Sequence, residues 1–115
     1  MKLPFSDRLR VDRHKIIDYL LSESNGRGKA PFFLNFGFRI DHWEVLAESL
    51  KAQARSHSVS AAVDSNWGTR YSVDGAIDTP SGRQPRPRVR TVWIVESGST
   101  EPRLITAHPV SEKTK

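Results

Sequence analysis

The sequence contains no cysteine, which excludes disulfide bonds and zinc sites built from thiolates. No apolar run is long enough to cross a bilayer, and the start, MKLPFSDRLRVDRHK, lacks the apolar segment of a signal peptide. We therefore expect a cytoplasmic protein that does not enter a membrane. Phosphate-loop, dinucleotide-binding and HExxH motifs are also missing, and we expect no cofactor.

Acidic residues are outnumbered: 13 Asp and Glu face 18 Lys and Arg, which gives a net charge of +5. Such a balance favours a polyanionic partner, either nucleic acid or an acidic protein. The excess is clearest in RQPRPRVR at 83–90, which holds four arginines and no acid. Solubility and protection of an edge strand are the simpler explanations of such a run. Because it leads directly into the apolar VRTVWIV, we expect its arginines to lie on ordered backbone.

The length of 115 residues fits one domain, which we place at 1–110, with SEKTK at 111–115 as a frayed tail. Asp12 is a candidate N-cap for a first helix that runs to about Ser22 and ends at SNGRG, residues 24–28. Its apolar face is formed by Ile16, Ile17, Leu20 and Leu21. Pro31 suits the first turn of a short second helix that ends near Gly37.

Asp41 is a candidate cap for a third helix, in which apolar residues recur at helical spacing, namely Trp43, Leu46, Ala47, Leu50 and Ala54. After His57 the pattern changes to short Val-, Thr-, Tyr- and Ile-rich stretches that predict strands at about 58–65, 69–79, 87–97 and 103–109. Short turns between them predict an antiparallel meander. Tyr71, Val73 and Ile77 share one face, which we expect the helices to cover. The predicted fold class is α+β, with about three N-terminal helices packed on a four-stranded meander.

Ligand-type residues show no metal-binding pattern. The four histidines, His14, His42, His57 and His108, are scattered without ligand spacing, and we predict no metal site. The segment GRGK at 26–29 is too short for a phosphate loop. Its backbone amides at a helix start, with Arg27 and Lys29 beside them, form a candidate anion site. A glycine loop with two solvated cations is the alternative.

Several short segments together resemble a bacterial family of small domains of unknown function. They are MKLP, DYLLS, GRGKAPFF, WEVLAESL, GTRY, VRTVWIV and PRLITAHP, and they extend from Met1 to about Pro109. The layout of helices followed by a meander is similar to that of the barnase, EndoU and colicin group of ribonuclease toxins. The resemblance implies RNA cleavage, often with a neutralising partner protein. Fold alone does not fix function.

The resemblance also implies a site that joins Lys29 to residues of the last two strands. Nucleases of this group that use no metal activate the ribose 2′-hydroxyl to attack the neighbouring phosphorus, and they need a base, an acid and cations. Lys29 or Arg90 is expected to stabilise phosphate charge, His108 to transfer a proton, and Thr106 to hydrogen-bond a phosphate oxygen. Arg27, Arg86, Arg88 and Trp93 are the expected RNA contacts.

One position departs from the family pattern, because relatives often carry His immediately before this lysine, where the chain has Gly28. Either His108 has replaced that base, or Tyr71 contributes, or the protein only binds. A second question is the register of the last two strands. Pairing about Gly98 places Trp93 near Thr106 and Thr91 near His108, whereas a one-residue slip places Arg90 opposite His108.

The residues nominated for the site also have structural explanations. Trp93 and Tyr71 are common core and sheet residues, and the polar groups of the last strand fit an ordinary strand end. Three functions therefore remain in view at this point. They are a metal-independent ribonuclease of toxin type, a non-catalytic module that binds nucleic acid or an acidic protein, and an accessory domain whose charge serves solubility.

Overall fold

The computed structural model describes residues 1–22 and 29–110. Its helical segments are a 3-10 turn at Ser6–Arg8, α1 at Arg13–Lys15 with a π-helical continuation at Ile16–Leu20, α2 at Lys29–Asn35, a 3-10 turn at Ile40–His42, and α3 at Trp43–Ser56. Four strands follow: β1 Val59–Ser65, β2 Gly68–Ala76, β3 Arg88–Glu96 and β4 Arg103–Pro109. The sheet order β1-β2-β3-β4, with antiparallel neighbours throughout, confirms the predicted α+β fold. The SNGRG stop and the SEKTK tail lie outside the described residues.

The first helix ends in a π-helical segment, which is wider than the α-helix that its sequence pattern predicts. Asp12 occupies the N-cap position, but its carboxylate accepts a hydrogen bond from Arg10 Nε at 2.7 Å and none from the helix, so the predicted side-chain cap is wrong. At the other end, Leu21 N–H donates to the Ile16 carbonyl at 2.8 Å, five residues back. The chain buries Ile16, Leu20 and Leu21 together in the core.

The third helix begins later than predicted. Asp41 lies within the 3-10 turn, and its carboxylate accepts from Arg39 Nε at 3.1 Å; His42 holds the N-cap position of α3 without a side-chain cap. The predicted cap at Asp41 is therefore wrong, because the neighbouring guanidinium takes the carboxylate. The predicted apolar face is confirmed, with Leu46 and Leu50 fully buried.

A buried glutamine fixes α3 across the middle of the sheet. Gln53 is 2% exposed, and its Nε2 donates to the carbonyls of Val73 at 2.9 Å and Val89 at 3.0 Å. Its Oε1 accepts from Thr91 Oγ1 at 2.8 Å, and Trp93 Nε1 donates to the same Thr91 oxygen at 2.8 Å. Helix α3 thus covers the face of β2 and β3 that carries these residues, as predicted.

The last two strands adopt the slipped register. Arg90 pairs with His108 and Val92 with Thr106, and then a bulge shifts the pairing so that Trp93 lies opposite Leu104. Of the two registers that the sequence left open, the one that places Trp93 near Thr106 is therefore excluded. Next to the turn Trp93 pairs with Leu104, and the extra residue Ile105 then places His108 opposite Arg90 instead of Val89.

The helix-free face of the sheet is called here the open face. Since neighbouring residues alternate, the burial of Val73, Thr91 and Ala107 against the helices turns their sequence neighbours the other way. The open face carries Arg70, Asp74, Arg90, Thr106 and His108. Across the described part of the chain, no helix is both long enough and apolar enough to cross a bilayer.

Candidate functional site

Lys29 reaches the last strand from the first turn of α2. Its Nζ donates to Thr106 Oγ1 at 3.2 Å and to Tyr19 Oη at 2.7 Å, and both bonds are partly buried. The ammonium also lies 4.7 Å from the centroid of the Tyr19 ring, within the range of a cation–π interaction. Lys29 and Thr106 are 77 positions apart in sequence, so only the packing of α2 at the β4 side brings them together.

Arg90 is held in place by a carboxylate on the neighbouring strand. Its Nε and Nη2 donate to the two oxygens of Asp74 at 2.7 and 2.9 Å, a bidentate pair. The hydrogen bond from Arg90 is the main cause that lowers the pKa of Asp74, and the same bond raises the pKa of Arg90. Side-chain exposures of 41% for Arg90 and 20% for Asp74 leave the remaining guanidinium donors facing solvent.

His108 lies directly opposite Arg90 in the ladder and is partly exposed. Its Nδ1 lies 3.2 Å from the Pro109 carbonyl. When Nδ1 carries the proton and donates to that carbonyl, Nε2 carries the lone pair. Thr106 is two residues earlier on the same face, a spacing of about 7 Å along a strand. Lys29, Thr106, His108 and Arg90 therefore form one continuous polar group, which is called the Lys29 cluster below.

Two residues nominated from the sequence lie elsewhere. Trp93 is fully buried and donates its indole N–H to Thr91, so it has no face available for stacking on a base, and the prediction of an RNA contact there is wrong. Tyr71 pairs with Trp93 and packs against the core on the helix-covered face. The sheet therefore separates it from the Lys29 cluster, and the prediction that it contributes there is not supported by its position.

The arginines of the 83–90 run divide between loop and strand. Arg86 is exposed, and its Nη1 donates to Asp78 Oδ1 at 2.8 Å. Arg88 lies on the open face opposite Ala76, two residues from Arg90. Arg27 and Gly28 lie outside the described residues, as does the GRGK segment up to Lys29.

Sequence reasoning missed two members of the site, Tyr19 and Asp74. Tyr19 is the aromatic residue of the DYLLS segment and lies four residues after Lys15, whose Nζ is 5.1 Å from its ring centroid. That helical spacing is a usable signal for a tyrosine among cations. Asp74 falls on the polar face of β2, and pairing β2 with β3 is enough to place it opposite Arg90.

The molecule also has a groove of about 550 Å³ beside the end of α2, away from the Lys29 cluster. Its lining is mainly apolar, with Leu34, Phe38 and Ile40, and its charged members Arg39 and Asp41 pair with each other. Within residues 1–22 and 29–110, no three His, Cys, Asp or Glu side chains gather as a metal site requires.

Comparisons with known proteins show a family match and a solved structure of similar fold. The family model of DUF6883, described as a domain of unknown function, matches residues 2–111. The comparison with curated proteins gives no match. Among solved structures, the chain is similar to a chain of a contact-dependent growth inhibition toxin–immunity protein complex from Klebsiella pneumoniae 342. The TM-score is 0.69 and the identity 20%, over 87% of this chain and 98% of that chain, a likeness that shows a shared fold.

Proposed function

We propose that this chain, which belongs to the DUF6883 family, is a metal-independent endoribonuclease of toxin type. One observation carries the proposal: Lys29 meets Thr106 at 3.2 Å, directly beside the paired strand residues Arg90 and His108. Phosphodiester cleavage needs cations, a hydrogen-bond donor and a proton-transfer group within a few ångströms of one phosphate. The Lys29 cluster contains these groups on a rigid sheet edge.

The cations act on the phosphate. In the proposed reaction the ribose 2′-oxygen attacks the adjacent phosphorus, and negative charge builds on the non-bridging oxygens of the phosphorane. The Lys29 ammonium and the free donors of Arg90 stabilise that charge, and the Thr106 hydroxyl donates to one of the oxygens. Asp74 fixes the orientation of Arg90 before the substrate arrives, so the Arg90 side chain loses little conformational entropy on binding.

Two proton transfers complete the reaction. His108 Nε2 accepts the proton of the 2′-hydroxyl as the 2′-oxygen forms its new bond to phosphorus. The bond between phosphorus and the 5′-oxygen breaks, and the 5′-oxygen leaves with a proton donated by the Tyr19 hydroxyl. The products are a 2′,3′-cyclic phosphate end and a 5′-hydroxyl end. Tyr19 is assigned this role because its oxygen lies 2.7 Å from Lys29 Nζ, whereas Tyr71 faces the core.

A protein partner also belongs to the proposal. The similar solved structure is that of a toxin–immunity protein complex, and a net charge of +5 suits an acidic neutralising protein. Toxicity on expression, relieved by co-expression of such a protein, is the expected cellular behaviour.

The test is an RNA cleavage assay with purified protein in the presence of a metal chelator. We expect single-stranded RNA to be cut to fragments with 2′,3′-cyclic phosphate ends. Lys29→Met and His108→Gln each reduce the rate by about a hundredfold or more, since each removes a charge or a proton-transfer group. Lys51→Met and His42→Gln, which change the same residue types on the α3 side, serve as matched controls and retain the rate.

Each other outcome has a distinct meaning. If the RNA stays intact but binds tightly, and the binding weakens as the salt concentration rises, the protein is a non-catalytic binding module and not an enzyme. Cleavage that stops in chelator excludes the metal-independent mechanism. Equal rates for all four variants show that the Lys29 cluster is not the active site.

A further inference from the structure

The open face of the sheet carries a second set of arginines beyond the Lys29 cluster. Arg70 in β2 pairs with Ile94 in β3, and Ile94 pairs with Arg103 in β4, so the three side chains form one row across the sheet. Asp74, Arg90 and His108 form a parallel row four residues away along β2 and β3. At about 3.3 Å per residue, the two rows are about 13 Å apart.

The outer row is available to an anion. Among the described residues, the guanidinium of Arg70 makes no ion pair, and that of Arg103 makes one long contact of 3.4 Å with Glu96. Ile94, only 9% exposed, lies between them as an apolar floor. In total the open face presents four arginines, Arg70, Arg88, Arg90 and Arg103, against the two acids Asp74 and Glu96.

We propose that the open face is a track for single-stranded RNA, in which Arg70 and Arg103 bind phosphates a few nucleotides away from the phosphate held by the Lys29 cluster. The proposal rests on the proposed ribonuclease function and names positioning residues for it. Exposed sheet faces suit single strands because they leave splayed nucleotides room to lie flat. Phosphate contacts of this kind set the register of the strand without reading its sequence.

The surface between the two rows favours RNA over a protein partner. It is made of Ser72, Val92 and Thr106, which have short side chains, and it lacks the aromatic anchors on which protein interfaces depend. Small side chains between two cationic rows leave space for ribose and base. The exposed Trp67, 77% accessible, lies at the β1–β2 turn and not between the rows.

The predicted effect is a change in salt dependence. For single strands, each phosphate contact contributes about 0.7 to the slope of log affinity against log salt concentration. Arg70→Gln combined with Arg103→Gln therefore lowers the slope by about 1.4. We expect the affinity at low salt to fall about tenfold, uniformly across sequences.

The experiment measures binding of the full chain to a fluorescent single-stranded RNA with 2′-O-methyl riboses, which cannot be cleaved by 2′-hydroxyl attack. Anisotropy titrations at several salt concentrations compare the wild type, the double variant, and a control pair, Arg13→Gln with Arg39→Gln. Arg13 lies in α1, and Arg39 immediately precedes the 3-10 turn at Ile40–His42. The double variant must keep the thermal midpoint of the wild type. We expect the loss of slope and affinity in the double variant and neither in the control pair.

Three results overturn the track: no binding of the wild type to the probe, an unchanged slope in the double variant, or an equal loss of slope in the control pair. Failure of the track is separable from failure of the ribonuclease. If the wild type cleaves RNA while the double variant keeps its slope and KM, the track is wrong and the enzyme stands. If the wild type cleaves nothing but binding depends on the two arginines, the track stands without the enzyme.

Discussion

Replacing Thr91 by Val is a stringent test of how α3 is held on the sheet. Thr91 is fully buried, and its hydroxyl accepts from Trp93 Nε1 and donates to Gln53 Oε1, both at 2.8 Å. Valine has nearly the same shape, so the substitution opens no cavity. It removes two hydrogen bonds and leaves an indole N–H and an amide oxygen buried without partners.

The magnitude follows from those two atoms. A buried polar group that loses its partner costs about 1–3 kcal/mol, so two of them predict a fall of about 3 kcal/mol in the free energy of unfolding. For a chain of 115 residues this corresponds to a drop of about 12 °C in Tm. A typical domain of this size is stable by about 5–15 kcal/mol, and the variant therefore remains folded at room temperature.

Urea unfolding followed by circular dichroism measures the change, with an unaltered slope m as the sign that both states are otherwise the same. Thr69→Val is the matched control, because Thr69 Oγ1 donates to Asp64 at an exposed site on β2 where water can replace the bond. We expect it to change stability by less than about 0.5 kcal/mol. If the two variants lose equal stability, the buried network does not anchor the helix and the argument from Thr91 is refuted.

Two further predictions concern the sheet. Gly75→Ala places a Cβ 2.5 Å from the ring of His57, and that ring is fixed by a 2.9 Å contact between its Nδ1 and the Gln53 carbonyl. We expect the free energy of unfolding, measured in urea, to fall by about 2 kcal/mol. The fall should be much smaller when His57→Ala is also present. Arg90 lowers the pKa of Asp74, so the Arg90–Asp74 pair stabilises the folded state. This stabilisation is fully present above the unfolded pKa of about 3.9 and is lost as pH falls through the lower pKa of the folded state. Between pH 5 and about pH 2 the wild type should therefore lose about 1 kcal/mol more than Asp74→Asn, and equal acid sensitivity contradicts the pairing.

The class and order of the elements can be read from the amino-acid pattern alone. The spacing of Leu46, Leu50 and Ala54 is helical, and the alternation about Val73 is that of a strand with one covered face; the structure contains both. These patterns are readable because burial of apolar side chains decides them one residue at a time. Short turns between consecutive strands then leave the meander as the simplest topology.

The sequence pattern does not predict whether a carboxylate caps a helix or pairs with a nearby arginine. Asp12 and Asp41 both stand where helix caps are expected, yet each accepts from an arginine two residues earlier, Arg10 and Arg39 respectively. The choice between a backbone amide and a guanidinium depends on the dihedral angles of the turn, which residue type does not specify.

The arrangement of the candidate site depends on strand register and helix packing, which the amino-acid pattern does not specify. One extra residue in β4, Ile105, places His108 opposite Arg90 on the open face, whereas the pairing next to the turn, continued without it, places His108 opposite Val89 on the covered face. The amino-acid pattern of that strand permits both. Likewise, the resemblance implies that Lys29 and Thr106 belong to one site, but their contact depends on how α2 packs at the β4 side. Periodicity reports which face of an element is buried, whereas contacts between distant segments depend on register and packing angle, and these are properties of the assembled fold.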